Sequence, residues 1–465
     1  MLNRIAIFML LAFFLMPFAH AEENLQQTVN DLREQLKLLT ARMEAMEKKL
    51  EEKELAASAA PAQVELAKPP QTAAATPETA PKPAAKPVEA GATKGSIKIP
   101  GTDTSLAIGG FVKLDAIYNS QSTGDNGRTN QGDQWLVPGS IPVDDSHAED
   151  NQINFHARSS RFWLKSFTPT RLGDLNTYLE LDFFAFQSPG DERVSNSYAP
   201  RMRHAYGQLG RFLAGQTWTT FMDAQALPEL NDFVGGPLGR IFVRQPQVRW
   251  TQPFSIGNNP IDWHVALESP ESTLTNPQGI RLTPDDDRAP DIVTRFSTTQ
   301  PWGTLSLAAM ARDIRIADKT ADSAFGGAVS LAGKINAYGR DDVRFMLAYG
   351  NALGRYSSNN LFNDAALDTE GKIHLFDAYS GYLAYRHWWG QEWRSTVGYG
   401  FAYADNPHFV SGTVSKWAQS GLINLLWSPL LQTTFGLEYT YAMREIESGA
   451  NGDLHRVQFS AMFQF

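Results

Sequence analysis

The chain contains no cysteine, which excludes disulfides, thiolate chemistry and cysteine-held zinc or iron–sulfur centres. It has no basic excess either. Its 41 Lys and Arg stand against 50 Asp and Glu, a formal charge of −9 with a pI near 5.6, which argues against nucleic acid as a partner. Beyond its first residues it has no long apolar run, and with hydrophobic residues at 42% it cannot cross a membrane with several helices. Gly-x-Ser-x-Gly, His-Glu-x-x-His and a Gly-rich phosphate loop are all missing, and the nine histidines are scattered. No EF-hand spacing is present. An enzyme is therefore not expected, nor is a cofactor or a metal site. What the chain does have is glycine (36) and aromatic residues (11%) in generous supply for an acidic protein.

The N-terminus reads as an export signal. Asn3 and Arg4 precede an apolar run from Ile5 to Ala19, and Ala19-His20-Ala21 forms a small-x-small cleavage site, giving a signal peptide over 1–21. A heptad helix is expected over 22–55, with Val29, Leu36, Met43 and Leu50 at a and Leu25, Leu32, Leu39 and Met46 at d. Such a stripe predicts self-association without fixing the number of strands. Residues 56–94 are rich in Ala, Pro and Lys and predict an extended linker.

From Gly95 to Phe465 the pattern is alternation. Trp393, Val397, Tyr399, Phe401 and Tyr403 stand opposite Arg394, Thr396, Gly398, Gly400 and Ala402. Val343, Phe345, Leu347 and Tyr349 likewise oppose Arg344, Met346, Ala348 and Gly350. One face is aromatic and aliphatic; the other is small or charged. That is the reverse of a soluble sandwich and fits a membrane barrel with a wet interior. A sheet edge cannot lie open in hydrocarbon, so the sheet must close. Tight turns near Pro169–Gly173, Gly210, Pro253–Asn259, Gln300–Trp302, Ala337–Asp341, Trp389–Gln391 and Ser428–Leu430 alternate with eight longer loops. This requires an all-β, sixteen-stranded antiparallel transmembrane barrel over 95–465, preceded by the α-helical coiled coil, with both termini on the side of the short turns.

Several segments then carry a resemblance. Gly95-Ser-Ile-Lys-Ile-Pro-Gly-Thr-Asp103 and Ile108-Gly-Gly-Phe-Val-Lys-Leu-Asp115 resemble the first strand of the DcaP-like outer-membrane porins. Ser160-Arg161, Thr168-Pro-Thr170, Gly173-Asp174-Leu175, Arg203-His204-Ala205-Tyr206-Gly207 and Ala214-Gly-Gln-Thr-Trp218 are similar to that family in order and spacing. The order of signal, coiled coil, linker and barrel is similar as well. The resemblance implies a homotrimeric, sixteen-stranded diffusion channel in the outer membrane of a Gram-negative bacterium, with its coiled coil in the periplasm. It also implies uptake of small organic anions, with dicarboxylic and aromatic acids as the solute class. Lipid and lipopolysaccharide would surround it, and acidic outer loops have a second reading as sites for divalent cations bridging lipopolysaccharide. An alternative function is an envelope tether to peptidoglycan; an outer-membrane hydrolase without a local motif is a more remote one.

Candidate selectivity residues follow from charge. From Gly95 onward 30 Lys and Arg meet 38 Asp and Glu, yet the acids gather in loops: Asp125, Asp133, Asp144, Asp145, Glu149 and Asp150 in the first, and Asp285, Asp286 and Asp287 in the fourth. Early strands carry Arg158, Arg161, Arg201, Arg203, Arg211, Arg240, Arg244 and Arg249. An arginine facing lipid costs about 2–4 kcal/mol at the midplane, so most of these are expected to line the pore or lie at a rim. Alternation puts Arg201, Arg203, Ala205 and Gly207 on one face, opposite Met202 and Tyr206. It leaves Arg158 and Arg161 on opposite faces unless a bulge intervenes. Glu180 and Asp182 are expected to face the arginines across the pore. Glu229 and Asp232, in the third long loop Phe221–Gly239, are expected at a constriction, opposing the arginines with a transverse field.

Overall fold

The computed structural model describes residues 37, 89–124, 131–144, 149–185, 196–317 and 322–465. The expected signal segment, heptad helix and linker, together with Asp125 and Asp145, lie outside these residues apart from Lys37 and 89–94. No described helix is long and apolar enough to cross a membrane. The apolar band is carried by strands.

Sixteen antiparallel strands form a closed barrel. They are β1 (Ser105–Gln121), β2 (two arms, Asp150–His156 and Arg161–Thr170), β3 (Gly173–Asp182), β4 (Arg201–Leu209), β5 (Phe212–Trp218), β6 (Arg244–Ile256), β7 (Asn259–Glu268) and β8 (Asp291–Gln300). They continue as β9 (Gly303–Ile316), β10 (Asp322–Asn336), β11 (Asp342–Gly350), β12 (Ala378–Trp388), β13 (Trp393–Ala404), β14 (Ser415–Leu430), β15 (Thr433–Ile446) and β16 (Asn451–Gln464). Each pairs with the next, and β1 pairs with β16 from Phe111↔Gln464 to Asn119↔Arg456, which closes the sheet and removes its edges. Short turns follow β2, β4, β6, β8, β10, β12 and β14; eight longer connections, here L1 to L8, join the other ends.

The outer face carries Ile108, Val112, Leu307, Leu347, Leu383, Tyr399, Ile423, Leu437 and Phe459, all exposed. A continuous apolar exterior of this extent is unstable in water and suits hydrocarbon. The last tight turn is displaced from its expected place. β14 runs through Leu430, and a register shift between Trp427 and Leu430 absorbs Ser428-Pro429 before the turn at Leu431 and Gln432. Proline has no N–H to give a ladder, and such an irregularity accommodates it.

Two bulges set the geometry of the site. Asp115 pairs with His156 and Phe111 with Arg161, so the β2 side spends one residue more than β1 between these pairs. The extra residue reverses the alternation, so His156 above the break and Arg161, Trp163 and Lys165 below it all face inward. In β4, Glu180 pairs with His204 but Leu181 pairs with Met202, leaving Arg203 as the extra residue. Arg201 and Arg203 then share the interior with His204 and Tyr206, while Ala205 and Gly207 face outward. This corrects the unbroken alternation expected for β4. A bulge re-aims side chains in just this way.

L3 (219–243) folds into the barrel. Phe221, Met222, Ala226, Leu227, Leu238 and Ile241 form one buried cluster with Ala308, Met310, Ala328, Met346, Tyr382, Ala402 and Ala418 on the inner wall. Small wall residues give the loop its seat. A side chain at Gly400 would overlap the Leu238 carbonyl oxygen, and one at Gly239, where φ is 82°, would overlap the Gly381 and Phe401 carbonyl oxygens. Gly400→Val is therefore expected to unseat L3 while leaving the wall intact, read as new protease cleavage within 219–243 of the refolded barrel. An equally resistant loop would contradict this packing.

L1 is also turned inward. Leu136 and Ile141 pack on Ala442 and Leu454, and Asp133 is buried with its carboxylate accepting from the Thr123 N–H at 2.7 Å and the Ser122 hydroxyl at 2.7 Å. Asp133 is thus an internal brace of the loop, not part of an acidic outer surface. On the loop side, Leu274–Thr275, Arg281–Leu282, Ala365–Leu367 and Ile373–Leu375 of L4 and L6 form a separate four-stranded sheet that packs on Ile314 and Ile316 of β9. Arg312 of β9, fully buried, anchors it through Asp364 at 2.5 Å and Asp291 at 3.1 Å.

Candidate functional site: an arginine-lined channel

On the wall of β2, β3 and β4 the bulges bring Arg161, Arg201 and Arg203 beside Glu180 and Asp182. Arg201 grips Asp182 with two prongs, Nε to Oδ1 at 2.9 Å and Nη2 to Oδ2 at 2.7 Å. Arg203 donates to Glu180 at 2.5 Å and to Asp182 at 3.0 Å. Arg161 stands 3.7 Å from Glu180, which also accepts the Tyr178 hydroxyl at 2.6 Å. Glu180 and Asp182 therefore do not oppose the arginines across the pore; they lie among them on adjacent strands. Three guanidiniums on two carboxylates leave one net positive charge, with Tyr178 and Tyr206 (ring centroids 5.8 Å apart) half-buried on the inner face beneath.

Other predicted residues are placed differently. Arg158 lies in the break of β2, 1% exposed, donating to the Phe183 carbonyl, the Gln134 side chain and the Ala185 carbonyl. It ties L1 and L2 to the wall and does not face the pore. Arg240 is equally buried within L3, stacked 3.8 Å from the Phe242 centroid and donating to the Phe233 and Val234 carbonyls; burial pulls its guanidinium down to about 10, still cationic at neutral pH. Arg244 rests over Trp218 at 4.9 Å, and its Nη1 has no hydrogen-bond partner among the described residues. Arg249 faces inward between Leu213 and Ala266, its Nε likewise unpartnered. Among the described residues neither Arg244 nor Arg249 pairs with a carboxylate.

The acids of L3 are already engaged. Glu229 is held by Arg386 at 2.8 Å and Arg394 at 2.5 Å, and Asn424 donates to its carbonyl at 3.0 Å. Burial alone would raise the Glu229 carboxyl, but Arg394 and Arg386 outweigh it and hold it below the ordinary glutamate range. Asp232 meets Arg456 at 3.3 Å and accepts from the Leu136 N–H at 2.8 Å, which joins L3 to L1. The expected transverse field between L3 acids and the early-strand arginines is accordingly not the arrangement found. These acids latch the loop to the wall of β12, β13 and β16.

The loop side opens into a cavity of about 890 Å³. Its described lining includes Arg201, Arg244, Arg281, Arg355 and Arg444 and not one carboxylate. Arg201 and Arg355 reach acids behind the surface, Asp182 and Asp291. Arg281 is held by Asn363 Oδ1 at 2.6 Å and the Asn360 carbonyl at 2.8 Å; Arg444 by Ser415 Oγ at 2.9 Å and the Gly139 and Ile141 carbonyls. Neutral acceptors fix both guanidiniums without cancelling their charge. Arg281 and Arg355 lie in loops, where no periodicity marks them, and Arg444 stands on an inner face that alternation alone reveals.

A closed sixteen-stranded barrel with an apolar exterior, a charged interior and an infolded third loop is an outer-membrane porin, a diffusion channel. A sequence model of the DcaP outer membrane protein family matches residues 88–465. The chain belongs to that family. The crystal structure of the outer membrane channel DcaP of Acinetobacter baumannii is similar, at 20% identity and a TM-score of 0.65, covering 81% of this chain and 100% of that one. An anion-selective porin from Comamonas acidovorans is a more distant likeness, at 12% identity and a TM-score of 0.48, covering 78% of this chain and 100% of that one. A search of curated protein sequences gives no match.

Proposed function

We propose that this channel favours small organic anions, with dicarboxylates and aromatic acids as preferred solutes, and that it works as a homotrimer. The observation that carries the reading is the loop-side vestibule, whose described lining holds five arginines and no carboxylate. Fixed guanidiniums raise the local concentration of anions, by tenfold for each 1.4 kcal/mol or so of favourable potential. They also bind carboxylates with two parallel hydrogen bonds and stay charged at any physiological pH. Below the vestibule, the partly exposed Arg161 beside Tyr178 and Tyr206 suits a solute with an aromatic face and a carboxylate edge.

Phthalate or succinate added to chloride-conducting channels in a planar bilayer tests this. Two partly solvated guanidinium contacts of about 2 kcal/mol each predict half-block near millimolar concentration. Currents that phthalate alters no more than chloride does at equal ionic strength would overturn the solute class.

A further inference from the structure

The vestibule is built for more charge than a dicarboxylate carries. Its 890 Å³ is several times the space such a solute needs, and it falls in the range of sites that enclose much larger ligands. Its arginines enter from separate elements: Arg201 from β4, Arg244 from β6, Arg281 from L4, Arg355 from L6 and Arg444 from β15. Two carboxylates can engage two of them. Among the described residues Arg244, Arg281 and Arg444 have no carboxylate partner, and the Nη1 of Arg244 has no hydrogen bond. Holding three like charges around one cavity is unfavourable without an anion, and the neutral acceptors that fix Arg281 and Arg444 make the site ready-formed.

We infer that the vestibule is a binding station for multivalent oxyanions of three or more charges, oligophosphates foremost, which enter from the loop side and block the channel instead of passing through it. The inference rests on the anion-selective reading above and adds a ligand class that inhibits. Phosphate oxygens match the guanidinium fork as carboxylates do, and a chain of them spans several arginines at once. A bound oligophosphate stops anion flux because its own charge cancels the field that draws smaller anions in.

The probe is inorganic tripolyphosphate, added to either side of channels formed by the refolded protein under constant ionic strength. Half-block from the loop side is expected at a concentration about tenfold or more below that of succinate, with far weaker block from the turn side. In Arg281→Gln/Arg444→Gln the tripolyphosphate half-block should rise about tenfold or more while succinate block shifts less. Equal block from both sides, or block no stronger than succinate, in a channel that remains anion-selective would overturn the inference and spare the function it rests on. A channel with no anion preference would remove both. Comparing the two sides on the unmutated protein keeps the test free of any folding defect in the variant.

Discussion

Arg203→Met is expected to lower barrel stability by about 3–5 kcal/mol, the cost of leaving buried carboxylates without their shared cation. Arg203 is 1% exposed and bonds Glu180 and Asp182 together, at 2.5 and 3.0 Å. Removing it leaves both acids on a wall where Arg161 reaches only to 3.7 Å and Arg201 serves Asp182 alone. Adding Glu180→Gln should recover part of the loss, because one buried charge then disappears with its partner. Equilibrium unfolding of the refolded barrel, followed by tryptophan fluorescence, reads both effects. A loss for Arg203→Met under about 1 kcal/mol would mean that the cluster is solvated like a surface ion pair.

Glu229→Gln is expected to release the L3 tip. Arg394 would lose its carboxylate altogether, while Arg386 would keep Asp342. The released loop should appear as open-channel current noise and new protease cleavage within 219–243. Acid should do the same to the unmutated protein. The native Glu229 carboxyl lies below its ordinary value of 4.5, so the latch contributes fully above that value and is lost as pH falls through the native one. Noise should therefore rise on acidification below the ordinary glutamate range, and the Gln variant should be noisy throughout without that onset. A quiet Gln variant would show that Asn424 and the packing of Phe221, Leu227 and Leu238 suffice to hold the loop.

Much of the wall was legible in the sequence because lipid and water alternate along every strand. The outward Trp393, Val397 and Tyr399 against the inward Arg394, Thr396 and Gly398 needed only a period of two. Turn chemistry located six of the seven short turns; at Ser428-Pro429 a strand irregularity imitated the seventh. The site was legible only in part, since it depends on departures from that period. One extra residue in each of β2 and β4 decides that Arg161 and Arg203 face the lumen together and that Tyr206 joins them. The odd parity of Arg158 and Arg161 was the trace of the first bulge. Nothing local marked the second. The inward face of Arg344, Arg394 and Arg444 was open to the same alternation. Their partners are not, because Glu229 meets Arg394 across 165 residues of chain and Arg444 meets L1 carbonyls across more than 300.

The most direct test of the anion-selective account is the reversal potential of the refolded protein in a planar bilayer under a tenfold KCl gradient. A lining of five arginines without a described carboxylate predicts a potential of the sign set by chloride, shrinking toward zero as the salt on both sides rises and screens the field. A potential of the sign set by potassium would contradict the account and leave a porin governed by its acidic outer loops.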